Sequence, residues 1–513
     1  MQEQNMTIIS NLMINILYLN YCFKGTVFWK TKFVWYIISL LFLNIDLWGQ
    51  KPTVIISTDP IELNEKYRFV DEDIYAEDPE TGDPDDMQSL VRLLLYSNEF
   101  QIEGIIASSE RIDDGQRKIW VNRDYSIFRM LNKYEEVEEN LRSHSPYFPT
   151  ADELKEKVRK GYSHQTGSTL PGPGRDSPGS DLIIQVVDAS NGPVWFLDWV
   201  GQEQQFELPQ ALWKVKQERS PEELNKFVSK LRVASIAISK EGPGAWLRDN
   251  FPQLFLIGTN YIINSKASFT RNFFGLGPGR MEGADSAVWN LEWADKHVRK
   301  EHGALGALFP SHTNHKRPGV SDYDSRTFFH LIPNGLGEAS DPAQGSWGGR
   351  YFRVKGKNHW APAEDNHPAS SETDQRIYFS VGRYQYAIQA DFQARMDWCV
   401  QNYEKANHNP IAAVNGDLSK KTIRIEAYPG KTIFLRASGS CDPDGDALNF
   451  QWWQYNEAGT FPGNIEIINS HKKHASLNMP NAKPGQTMHI ILEVTDNGSP
   501  ALTSYRRIIL TAK

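Results

Sequence analysis

A chain of 513 residues with 40% hydrophobic and 12% aromatic content carries enough apolar material for two or three domains and at least one large core, which excludes a disordered or fibrous protein. The formal net charge of −8, with no basic stripe to interrupt it, excludes a general attraction to nucleic acid. Cys22, Cys399 and Cys441 fit no zinc-ligand spacing and no disulfide framework.

Near the N-terminus, Lys30 and Lys32 precede an apolar run from Phe33 to Leu43 that Asn44 and Asp46 end. The run is too short to span a bilayer and has the length of a secretory h-region, so residues 1–49 are expected to be a signal peptide. The expected location is secreted or periplasmic, with no stable membrane span after cleavage; an uncleaved signal anchor stays open.

Residues 52–58 (PTVIIST) predict a buried strand that ends at Asp59. Asp86 to Phe100 predicts a helix, because Met87, Leu90, Val91 and Leu94 recur at helical spacing, and Gln101 to Ser108 predicts a second buried strand. A strand, a helix and a strand in that order imply a parallel sheet with a right-handed crossover. The rhythm returns in a strand over Pro193–Val200, a helix over Pro221–Leu231, a strand over Arg232–Ser239 and a short strand after Phe251. Residues 161–180 and 333–375 read as long loops, and Tyr378 to Tyr403 as a closing helix. In such sheets ligands bind beyond the carboxyl ends of the strands, so the loops after Asp59, Val200 and Ser239 are expected to line one crevice. Past Asn407–Pro410 the pattern becomes alternating strands at Thr432–Ala437, Leu448–Tyr455, Met488–Thr495 and Tyr505–Thr511, which predicts a β-sandwich of immunoglobulin-like type. The run Ser440-Cys441-Asp442-Pro443-Asp444-Gly445-Asp446 admits two readings, a calcium loop or a turn held by Asx hydrogen bonds.

The residues that carry chemistry are Asp59 at the first strand's end and Asp83, Asp85 and Asp86 at the start of a helix. Helix capping accounts for one such acid. Three within four residues repel one another unless a cation or a polar ligand compensates them. His164, His312, His315, His359 and His367 lie in loop-like stretches without ligand spacing. Trp347 and Trp360 are candidates either for stacking on a sugar or for packing beneath the long loop.

The segments TGDPDDMQSLVRLLLYSNEFQIEGIIAS, LWKV, NFPQLFLI, HLIPNGLGE and SWGGRYF resemble, in their order, a secreted bacterial family of cellulose-binding, nucleoside-hydrolase-like proteins. The resemblance covers nearly all of residues 52–513. It implies a parallel-sheet α/β domain like nucleoside hydrolase over 50–406 and a C-terminal all-β immunoglobulin-like sandwich over 407–513. Carried over by position, Asp59, Asp86 and Asp324 would hold a calcium ion, Asp59 and Asp85 would be catalytic, and Asp85 would take a sugar hydroxyl. Asp83, Glu203, Glu241 and Trp347 would line the substrate, a carbohydrate or nucleoside. The chemistry implied is hydrolysis of a glycosyl bond by a metal-bound water; the alternative is a non-catalytic carbohydrate-binding protein on the same fold. Three departures fall on the crevice: the acid-rich insertion at 60–81, Val200-Gly201-Gln202-Glu203 after the central strand, and Ile238-Ser239-Lys240-Glu241-Gly242 after the next. Oligomeric state is left open.

Overall fold

The apolar run at 53–58 folds as strand β1 (Thr53–Thr58), buried along its whole length. Its companion helix α1 (Pro84–Leu95) begins with Asp85 and Asp86 in the first turn and carries Arg92 in the last, the charge order that complements a helix dipole. The helix is shorter than expected, because Ser97–Glu99 tighten into a 3-10 turn before strand β2 (Gln101–Ala107). β2 lies parallel to β1. The computed structural model describes residues 51–59, 84–113, 118–122, 124–162, 169–200, 205–236, 238, 242–259, 285–313, 317–366, 368, 371 and 373–513. The expected signal peptide, the insertion at 60–81, and Asp83, Glu203 and Glu241 lie outside them. The chain divides into two compact units, Pro52–Pro333 with Gly337–Ala406, and Asn407–Lys513 with Asn334–Leu336.

In the first unit β1 and β2 are joined by β3 (Val158–Lys160), β4 (Val194–Asp198), β5 (Leu231–Ser235), β6 (Phe255–Gly258), β7 (Tyr351–Arg353) and β8 (His359–Pro362). The eight strands run in the order β7-β8-β6-β5-β4-β1-β2-β3, all parallel except β7 against β8. The chain builds outward from β1 in one direction, then restarts at β4 and builds in the other, so the topological switch lies between β1 and β4. Two strands fall inside the segment expected to be a loop at 333–375, and His359 is a buried strand residue rather than a loop histidine.

One face of the sheet presents Ile55, Ile106, Phe196, Val233 and Leu256 to helices α3 (Pro178–Ala189), α4 (Glu207–Glu218), α5 (Pro221–Lys230) and α6 (Gly242–Asn250). Here α2 is Asp124–His144, whose buried positions Ile127, Met130, Leu131, Tyr134, Val137 and Leu141 keep helical spacing. Each such large apolar side chain contributes roughly 1.5–3 kcal/mol by leaving water. The starts of α3 and α5 are set locally. Ser177 and Ser220 each accept the N–H three residues on, and proline follows at the first helical position.

On the other face α1 is stitched to Pro310 and to residues 319–324. Gln88 donates to the carbonyls of Pro310 (2.8 Å) and Gly319 (2.9 Å) and accepts the Ser321 N–H at 2.7 Å. One turn later Arg92 forms an ion pair with Asp322 at 2.6 Å, both side chains fully buried, with the Phe392 ring 3.7 Å from the guanidinium.

The second unit has two sheets, β9-β15-β14-β11 and β10-β13-β12, built from β9 (Ile423–Ala427), β10 (Thr432–Arg436), β11 (Asn449–Gln454), β12 (Ile467–Ile468), β13 (His474–Asn478), β14 (Thr487–Thr495) and β15 (Thr503–Ala512). Their inner faces share one apolar core that includes Leu435, Trp452, Leu477, Ile490, Leu492 and Ile508. Asn334–Leu336 joins this unit through the Tyr505 N–H to Asn334 O bond (3.0 Å) and an Arg507 bond to Leu336 O. Gly335, at φ 88°, is the residue this approach requires, since a Cβ there would lie 2.0 Å from Tyr505 O. At the Asp-rich turn, Asp442 Oδ1 accepts the N–H groups of Asp444 (2.9 Å) and Asp446 (3.0 Å), an Asx-type closure by backbone donors.

Because Arg92 and Asp322 are both enclosed, losing one partner strands the other charge. Arg92→Leu is expected to destabilise the chain by roughly 3–5 kcal/mol. Adding Asp322→Asn should restore a large part of that loss in chemical denaturation, and no recovery would show that packing, not charge, holds the joint.

Candidate functional site

The carboxyl ends of β1, β2, β4, β5 and β6 form a polar rim on an otherwise apolar sheet. Ser57 and Ser108 bond to each other at 2.7 Å across β1 and β2. Thr58 donates its hydroxyl to Asp86 Oδ1, which also accepts the Asp59 N–H at 3.2 Å. One carboxylate oxygen therefore ties the end of β1 to the first turn of α1. Asp59, Asp85, Asp86 and Asp324 are all buried. One turn along α1, Ser89 donates to Asp324 Oδ2 at 2.9 Å, which places this distant acid beside the same helix. The Asp324 carbonyl accepts the Thr327 hydroxyl, and Thr327 in turn takes the Trp199 indole N–H at 2.8 Å, just past the end of β4. The switch between β1 and β4 thus gathers Asp59, Asp86 and Asp324 around α1, with Asp85 in the same first turn.

Asp85 Oδ1 is buried and has no hydrogen-bond partner among the described residues. Asp86 Oδ1 is engaged by Thr58 and Asp59, and Asp324 Oδ2 by Ser89. Among the described residues no group of three or more His, Cys, Asp or Glu side chains is arranged to hold a metal ion. Trp347 is 1% exposed and meets Phe329 edge-on, so its indole packs beneath the loop and offers no open face to a sugar. Trp360 is half-buried in β8 against Phe255.

Two further acids, not anticipated from the sequence, sit beneath the same end of the sheet. Asp198, the last residue of β4, stands next to Ser57 in β1 and Ser235 in β5. Its Oδ2 accepts from Gln205 (2.7 Å) and Ser235 (3.0 Å). Burial pushes its carboxyl up to about 7, against the pull of those two donors. Glu207, at the start of α4, accepts from the Ser177 hydroxyl and the Tyr162 N–H (2.7 Å), and burial raises it above the usual carboxylate range. Both line a cavity of about 10 Å3, enough for a single water. The available signal was the single Asp in the apolar run VWFLDWV.

An acid whose folded pKa lies above its unfolded value stabilises the fold fully below the unfolded pKa, and that contribution is lost as pH rises through the folded one. For Asp198 the window runs from about 4 to about 7. Asp198→Asn keeps an oxygen acceptor for Gln205 and Ser235 and cannot ionise. Its stability relative to the parent is expected to grow across that window and level off above pH 7, by about 4 kcal/mol at most. A pH-independent difference in urea denaturation would show that Asp198 titrates alike in the folded and unfolded chain.

Comparison with known proteins follows the same division of the chain. Residues 73–351 match the family described as Cellulose-binding Sde182, nucleoside hydrolase-like domain, and residues 432–512 match Cellulose-binding protein Sde0182, C-terminal domain. A solved nucleoside hydrolase-related hypothetical protein from Saccharophagus degradans, associated with carbohydrate metabolism, is 32% identical with a TM-score of 0.68. The match covers 90% of this chain and 100% of that one. The PKD domain from KIAA 1837 protein aligns at 15% identity over 20% of this chain and 87% of its own, with a TM-score of 0.15. No curated protein matches. Among the described residues no helix is long and apolar enough to cross a membrane. The parallel α/β unit and the all-β unit after it place this chain in the cellulose-binding Sde182 family, with its nucleoside hydrolase-like domain and its C-terminal domain.

Proposed function

We propose that this chain is an exported carbohydrate-binding protein that keeps the nucleoside-hydrolase fold and takes a sugar at the switch between β1 and β4. The observation that carries the reading is Asp85 Oδ1, a buried acceptor without a donor in the first turn of α1. Leaving such an atom unsatisfied costs about 1–3 kcal/mol, and a sugar hydroxyl supplies the missing donor. The family's description as cellulose-binding points to the same ligand class. Asp59 and Asp86 frame that position from β1 and α1, and the dipole of α1 favours negative charge there.

Glycosyl-bond hydrolysis is the second reading, and Asp198 favours it, since a carboxyl near 7 suits proton transfer at neutral pH. Calcium belongs to that reading as a ligand to be tested, with Asp59, Asp86 and Asp324 as the residues that would hold it.

Asp85→Ala is expected to weaken binding of cello-oligosaccharides about tenfold or more in calorimetry while leaving the unfolding midpoint within a few degrees. Unchanged affinity would remove Asp85 from the site. Release of reducing sugar from β-glucans, or of ribose from nucleosides, only when calcium is added would establish the second reading in place of the first.

A further inference from the structure

The C-terminal unit carries a cleft of about 270 Å3, close to the lower end of the roughly 300–1,000 Å3 usual for small-ligand sites. It lies on the outward face of β11 and β14, where Asn449 stands opposite Thr495 and Gln451 opposite Glu493. Side chains alternate along a strand, so these four share one face while Trp452, Leu492 and Val494 point into the core. Leu448 and Phe450 border the cleft from alternate positions whose side chains pack against the core, and His471 also lines it. Next along β11 on the same face, the half-buried Trp453 donates its indole N–H to Glu493 Oε1 at 3.0 Å, which fixes the carboxylate against the strand.

We propose that this cleft is a second carbohydrate site, separate from the aspartate crevice, that takes one unit of a neutral glycan. Asn449 and Gln451 are exposed, and neither side chain has a hydrogen-bond partner among the described residues. Each amide offers a donor and an acceptor on one plane, the pattern that adjacent sugar hydroxyls match, and Glu493 adds an acceptor. The charge on the walls selects the class. Among the lining residues Glu493 is the one carboxylate and His471 the one imidazole. That set has no cluster of cations for a phosphate or an acidic polymer. A peptide seeking a free strand edge meets an occupied one, because the Trp452 N–H already bonds Ser470 O at 2.7 Å.

The inference shares its ligand class with the function proposed above but not its residues, so one experiment separates them. Cellotetraose is titrated into the full-length protein, into Asn449→Ala/Gln451→Ala and into Asp85→Ala, with the unfolding midpoint recorded for each. Both substituted amides are exposed, so the double variant should melt with the parent. The expected result is two binding events in the parent, with the double variant losing one of them or weakening it about tenfold. Loss of that event in the double variant while Asp85→Ala retains it supports the cleft even if the crevice binds nothing. If the double variant binds as the parent does and only Asp85→Ala is impaired, the cleft is overturned and the crevice stands. A parent that binds none of a panel of cello-, xylo- and laminari-oligosaccharides overturns the cleft together with the crevice.

Discussion

A buried carboxylate needs donors, and Asp86 obtains them from the strand beneath it. The Thr58 hydroxyl and the Asp59 N–H both converge on Asp86 Oδ1, so one atom fastens the end of β1 to the start of α1. The helix adds its own first-turn N–H groups and dipole to the negative charge. With that joint made, α1 runs back across the sheet in a set orientation. Gln88, Ser89 and Arg92 then meet Pro310, Gly319, Asp324 and Asp322 in register. Pro310 and residues 319–324 are thus positioned by a helix whose own placement depends on one acid.

The parts of this arrangement that were legible in the sequence are those specified by local pattern. β1 is a continuous apolar run, α1 has four apolar residues at helical spacing, and the acids between them stand where a parallel-sheet protein binds its ligands. Helix α2 obeys the same period but is dense in Glu, Lys and Arg, so its buried stripe from Ile127 to Leu141 does not stand out from its solvated face. β7 and β8 have three and four residues, too few for an alternating pattern to register among the glycines and prolines around them. The end of α1 was read too late, since Tyr96 and Phe100 continue the apolar content after the helical geometry has stopped.

The site divides along the same line. Asp59, Asp85 and Asp86 are close in sequence to elements that pattern identifies. Asp324 reaches them through Ser89, 235 residues away, a contact that rests on tertiary packing alone. Asp198 was hidden for a different reason: in a buried strand a single acid looks like an interruption, and its meaning depends on Gln205 and Ser235, which approach from α4's leading edge and from the neighbouring strand. For Trp347 two readings were open, and burial favours the packing one. Aromatic residues in a glycine-rich loop suggest an open sugar platform, yet the loop folds over its own tryptophan and uses the ring as a core.

The Asp-rich turn of the second unit gathers backbone donors around its acids. Asp442 directs one oxygen at two backbone N–H groups, Asp444 accepts the His408 N–H at 2.8 Å, and Asp496 accepts those of Gly498 and Leu502, each at 2.9 Å. These donors do not offset burial in full: burial, reinforced by Asp442, raises Asp496 to about 6. At the end of β1 the same energetics operate with fewer backbone donors and with an unsatisfied oxygen on Asp85. Asp442 Oδ2, like Asp85 Oδ1, is buried without a hydrogen-bond partner among the described residues, so an open acceptor alone does not separate the two places. What distinguishes the acids of the first unit is their position at the carboxyl ends of parallel strands, beside the topological switch.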